Sequence, residues 1–174
     1  MSFIARLFRS TDDRAPLIPL YNAIVTRGRE PHWYVEGGVA DTLDGRFDMI
    51  AAILSLVLIR LEGDEDSRLA SARLTELFVS DMDGQLRQIG IGDVMVGKHI
   101  GKMMAALGGR LTAYRAALGG DDAALGEALA RNLYRGDAPP AGQLAHVVAG
   151  LRAFADALAA SAPADLVSGA LPRA

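Results

Sequence analysis

Between Gly45 and Glu62 the chain is apolar on nearly every side of a helix, through Met49, Ile50, Ile53, Leu54, Leu56, Val57, Leu58, Ile59 and Leu61. A helix wetted on one face keeps a polar stripe, so this segment has to be covered all round. The run from Met49 to Leu61 is interrupted by Arg60 and falls short of the roughly 20 apolar residues that span a bilayer. It is predicted to be the central helix of a packed core. Ala51, Ala52 and Ser55 form a strip of small residues where a neighbour can approach closely.

Covering such a helix takes further helices, and the apolar spacing supplies them. Leu17, Leu20, Tyr21, Ile24 and Val25 mark one from Pro16 towards Glu30, with Pro31 ending it. An irregular stretch, His32 to Asp44, leads to the central helix, which Thr42 or Asp44 can cap. After Gly63-Asp64-Glu65-Asp66, a helix to about Ile89 carries Leu69, Leu74, Leu77, Phe78, Met82 and Leu86 near one side, with Asp66 or Ser67 as its cap. Gly90-Ile91-Gly92-Asp93 breaks it. From Lys98 to Leu118 the residues Ile100, Met104, Leu107, Leu111, Tyr114 and Leu118 alternate at four and three, a seam spacing. Asp121 or Asp122 caps a shorter helix with Leu125, Leu129 and Leu133. A last long helix after Pro139-Pro140 turns Leu144, Val147, Val148, Leu151, Phe154 and Leu158 inward. No hairpin signal or repeat period appears. The expectation is an all-α, single-domain bundle of about six helices. The body covers 16–162, between an amphipathic extension (1–15) and a C-terminal tail (163–174) that docks through Leu166 and Val167 or stays loose.

Composition narrows the function. Hydrophobic residues make up 51% of the chain but aromatics only 6%, the make-up of packed helices. The net charge of -3 argues against general binding to DNA, which needs an excess of Lys and Arg. With no Cys, thiolate metal sites and cysteine nucleophiles are excluded. No secretory signal is visible at the start of the chain, where Phe3, Ile4, Leu7 and Phe8 lie opposite Arg6 and Arg9. A soluble, cytoplasmic protein is expected, peripheral at the inner membrane if that first segment rests on lipid.

The reactive residue types do not assemble into a known catalytic pattern. Asp41, Asp44 and Asp48 surround the entry of the central helix, where caps and ion pairs account for them first, with Arg46 among them. Asp81 and Asp83 point about 200° apart on a helix, so they cannot share one ion, and Asp83 pairs with Arg87 at i, i+4. His32, His99 and His146 are scattered and read as surface residues. Gly90-Ile91-Gly92 has no strand before it, and no nucleophile elbow or phosphate loop occurs. One feature resists this account. Lys98, His99 and Lys102 fall in the first turn or so of the predicted helix, against its dipole, either presented to an acidic partner or a phosphate or neutralised by Asp93 and neighbouring acids.

Two stretches carry a resemblance. Tyr21-Asn22-Ala23-Ile24-Val25 with Arg29-Glu30-Pro31, followed by Val39-Ala40-Asp41-Thr42-Leu43-Asp44-Gly45-Arg46-Phe47-Asp48, resemble the signature of the ubiquinol–cytochrome c chaperone family. Asp81-Met82-Asp83, Leu86-Arg87, Gly90-Ile91-Gly92-Asp93 and Lys98 resemble its second block. Gly109-Arg110-Leu111, Ala113-Tyr114, Ala117-Leu118 and Ala130-Arg131-Asn132 resemble its later part, so the likeness runs over about 17–135. The sequence departs from the pattern at Gly97 and His99.

The resemblance implies a bacterial-type assembly factor of the cytochrome bc1 complex, with newly made cytochrome b as client and the ribosome or the inner-membrane surface as further contacts. It implies no reaction, cofactor or small-molecule substrate. An apolar client calls for exposed apolar groups, for which Trp33, Tyr34, Met95, Met103 and the Phe3–Phe8 end are candidates. The charged blocks Asp41, Asp44, Arg46, Asp48, Asp81, Asp83, Arg87, Asp93, Lys98 and Lys102 would form a polar contact surface beside them, or a network locking helices together. Two other readings stand beside this one. A small helical enzyme or metal carrier would use Asp41, Asp44, Asp48 and a histidine. A ribosome- or RNA-contacting adaptor would use Lys98, Lys102, Arg110 and Arg115.

Overall fold

The computed structural model describes residues 13–88 and 93–173, except for the side chains of Leu86, Asp93, Val94, Met95, Val96 and His99. Helices run over Ile18–Gly28 (α1), Pro31–Val35 (α2), Leu43–Glu62 (α3), Arg68–Gln88 (α4), Asp93–Leu118 (α5), Asp122–Asn132 (α6), Ala141–Ala160 (α7) and Pro163–Val167 (α8). Two short 3-10 turns, Ala15–Leu17 and Glu65–Ser67, precede α1 and α4. The all-α class and the central helix are as the apolar pattern requires. Every residue of α3 from Asp48 to Leu58 is buried, and α1, α4, α5 and α7 pack round it.

Local chemistry sets the helix ends. Thr42 caps α3, its Oγ1 accepting from the Gly45 amide at 3.1 Å, and Asp121 does the same for α6 from Ala124 at 2.9 Å. Gly45 is required by close approach. A Cβ there would strike the Ala40 carbonyl, so the chain entering α3 lies directly against the helix's first turn. At the other ends, carbonyls that lack helical partners are taken by arginines from distant segments. Arg60 of α3 donates to Leu158 O (2.9 Å) and Ser161 O (2.7 Å) at the end of α7. Arg152 of α7 donates to Gly120 O (3.2 Å) and Asp121 O (3.0 Å) beyond the end of α5.

Four features differ from the sequence expectation. The stretch after Pro31 holds a helix, α2, because proline suits a first helical turn as well as it ends a previous one. Helix α5 begins at Asp93, five residues before the expected start, since Gly97 does not break it. Leu69 and Met104, expected inward, are 59% and 38% exposed. The 3-10 turn Glu65–Ser67 takes up the residues expected to cap α4. After α7 the chain turns back: Leu166 of α8 is fully buried, and Val167 and Leu171 pack against the core. No helix of the described residues is long and apolar enough to cross a membrane. Phe3–Phe8, Gly90-Ile91-Gly92 and the Met95 side chain lie outside those residues.

Candidate functional site

The segment Asp41–Asp48 opens α3, and almost every residue in it has a fixed partner. Asp41 takes Arg46 Nε at 2.6 Å in an exposed pair. Phe47 stacks on Phe78 of α4, ring centres 5.5 Å apart. Asp48 is fully buried, one turn inside the helix. It accepts from the buried guanidinium of Arg110 on α5 and from Arg135 Nε at 2.6 Å. Arg135 also donates to Asp44 at 2.6 Å, and Arg110 reaches the Asn132 carbonyl at 3.0 Å and lies over the Phe47 ring. Arg135 stands on left-handed backbone, φ 55°, in the turn after α6. Leu43 has no such task, and is 49% exposed.

These groups wall a cleft of about 480 Å³ between α3, α4 and α5. Leu43, Phe47, Met82, Met103 and Ala106 supply its apolar surface. Lys102, Ala106 and Arg110 follow one another at i, i+4 and i+8, so they run down one side of α5 into the cleft. A second hollow of about 310 Å³ shares Asp44, Asp48 and Arg135 with it and extends to Gly38, Ala40 and Asp137.

Asp41 and Asp48 respond oppositely to their surroundings. Burial pushes the Asp48 carboxyl above its ordinary value, although Arg135 and Arg110 both pull it down. The hydrogen bond from Arg46 holds Asp41 below its ordinary value. Between α1 and α4, Tyr21 donates to Asp81 at 2.7 Å, and burial followed by Asp81 raises the Tyr21 hydroxyl.

The structure thus brings Asp44, Asp48, Lys102 and Met103 to one cleft and leaves other predicted residues elsewhere. Trp33 is 1% exposed, on α2, its Nε1 donating to Arg27 O at 2.8 Å. It is a core residue and not a docking group. Gly150 on α7 leaves the space: a Cβ there would lie 2.9 Å from the indole. Tyr34 is half-buried, its hydroxyl donating to Gly28 O at 2.6 Å, so both aromatics staple α2 to the end of α1. Asp83 and Arg87 form the expected pair along α4, at 2.8 Å. Arg46 and Arg87, about half exposed, each pair with an acid near in sequence, Asp41 and Asp83. Lys98 and Lys102 are exposed but sit in the second and third turns of α5, so the argument from an opposed first-turn dipole does not hold. The Asp93 side chain lies outside the described residues.

Two of the histidines, His32 and His146, also differ from expectation. His32 Nδ1 and His146 Nε2 are 3.0 Å apart, and His32 Nε2 lies 3.1 Å from Glu30. That contact joins α2 to α7, well separated in sequence. Among the described residues, no group of three or more His, Asp or Glu is placed to hold a metal ion. The RNA reading loses two cations to the fold, since Arg110 is buried on Asp48 and Arg115 pairs with Glu62 at 2.6 Å. Sequence spacing missed Arg135, which lies in a turn with no periodicity to mark it. The i, i+4 stripe of Lys102, Ala106 and Arg110 was the signal available for the cleft.

The same fold is found in a protein described as the Cbp3 homolog from Brucella abortus. Its crystal structure matches with a TM-score of 0.79 and 32% identity, over 95% of this chain and 93% of that one. The sequence model described as ubiquinol-cytochrome C chaperone matches residues 35–174. The chain belongs to the ubiquinol–cytochrome c chaperone family. Comparison with curated proteins gives no match. The family match reaches further towards the C-terminus than the resemblance of 17–135 and begins after Tyr21–Pro31. It therefore takes in the whole cleft, from Leu43 to Arg135, and supports a role in assembly of the bc1 complex.

Proposed function

We propose that the protein holds newly made cytochrome b during assembly of the bc1 complex, and that the cleft between α3, α4 and α5 is where it does so. The carrying observation is a largely apolar cleft, open at the surface, with the first two turns of the central helix as one wall. Leu43 and Ala106 are exposed at it without an internal role, as a surface reserved for an apolar partner would have them. Asp44, Asp48 and Arg135 shape its end. Asp81 accepts from Tyr21 and Asp83 from Arg87, so these two acids already have partners outside the cleft. Work of this kind needs no reacting centre: affinity for the client is the activity, exercised where the cytoplasm meets the inner membrane.

Deletion of the gene is expected to lower assembled bc1 complex and spare unrelated respiratory enzymes. Wild type should restore it, whereas Leu43→Arg and Ala106→Arg, both at exposed positions, should not, although each accumulates as a folded protein. Normal bc1 levels in the deletion strain would reject the reading. Full rescue by both variants would move the site elsewhere.

A further inference from the structure

Resting on that reading, we propose that the segment received by the cleft carries a carboxylate, seated between Lys102 and Arg135. Five charged residues line the cleft: Lys102, Arg110, Arg135, Asp44 and Asp48. Arg110 is spent, buried between Asp48 and the Asn132 carbonyl. Arg135 is half exposed and shares itself between buried Asp48 and the largely exposed Asp44. Lys102 is exposed and forms no ion pair among the described residues. The apolar cleft therefore has one uncompensated cation at its edge and a second held on one side only by a solvated carboxylate.

An apolar segment laid over this edge takes water away from both cations. Stripping an unpaired charge of water is costly, and water already solvates Lys102 in the empty cleft. A neutral segment would meet that cost without return, and a basic one would add repulsion. A segment with Asp or Glu in its apolar stretch supplies the missing counter-charge, and specificity follows from the penalty on the alternatives. Asp44 then competes with the incoming carboxylate for Arg135, which gives the idea a signed test.

The test is binding of the full chain to labelled peptides tiled along cytochrome b of the same organism, read by fluorescence anisotropy. The tightest peptides should carry Asp or Glu within an apolar stretch. Replacing that acid by its amide should weaken binding about fivefold, the upper range for a charge pair at a surface. Lys102→Gln should weaken the acidic peptide by a similar factor and not weaken its amide form, which is relieved of stripping the ammonium of water, the mark of direct coupling. Asp44→Asn should tighten the acidic peptide. Peptides bound without regard to their acid, or Lys102→Gln acting equally on both forms, would overturn this inference and leave the client reading standing. Failure of every peptide to bind would reject the client reading, and this inference with it.

Discussion

Asp41 and Asp48 are seven residues apart, yet their carboxyls are driven in opposite directions, one by a neighbour's hydrogen bond and the other by loss of water. For Asp41 the folded value is depressed. Its contribution to stability is present above the unfolded value, near 4, and is lost as the pH falls through the folded one. For Asp48 the folded value is raised. Its contribution is complete below the unfolded value and is lost as the pH rises through the folded one. Carboxyl NMR titration should therefore find Asp41 below the ordinary Asp value and Asp48 above it, and Arg46→Ala should return Asp41 to normal without moving Asp48. Identical titrations of the two would contradict this account. Asp48→Ala should be severe, about 3–5 kcal/mol in urea unfolding, because it strands the buried guanidinium of Arg110. Thr42 was readable as a cap because capping is local. Arg135 was not, since its partners lie about ninety positions away.

At the scale of elements, the helices that apolar spacing marks are the helices found, and misplacements gather where glycine and proline had to be interpreted. Gly97 proved to be helix interior, and Pro31 begins a helix as well as ending one. Trp33 was misplaced for the same reason: read as loop, it belongs to a short helix pressed against α7 at Gly150. Periodicity cannot reveal such a contact, because the glycine that makes room for the indole leaves no apolar mark of its own. Gly150→Val should overpack that contact and cost about 1–3 kcal/mol, exceeding the few tenths gained in helix propensity. Thermal unfolding followed at 222 nm would measure the loss. An unchanged midpoint would mean that the indole can move aside freely.

For the whole molecule, α3 contributes to a single core shared with α1, α4, α5 and α7, and Arg60 and Arg152 tie helix ends across it. Such cross-linking of sequence-distant parts favours all-or-none unfolding. The chain has one tryptophan, at the junction of α2 and α7 and away from the cleft. Its fluorescence should nonetheless change over the same urea range as the helical signal at 222 nm. Two separated transitions would show that the body around α2 unfolds apart from the cleft. The enclosed stretch of α3, from Asp48 at the cleft to Leu58, has a further consequence for cargo. Core helices are the last to open locally, so this wall of the cleft stays in place while a guest arrives and leaves. A seat of that kind cannot squeeze its occupant out. On the proposed client reading, departure is governed by mass action: the growing enzyme gains the segment by offering it a better-matched berth, and the carrier is left unchanged for the next round.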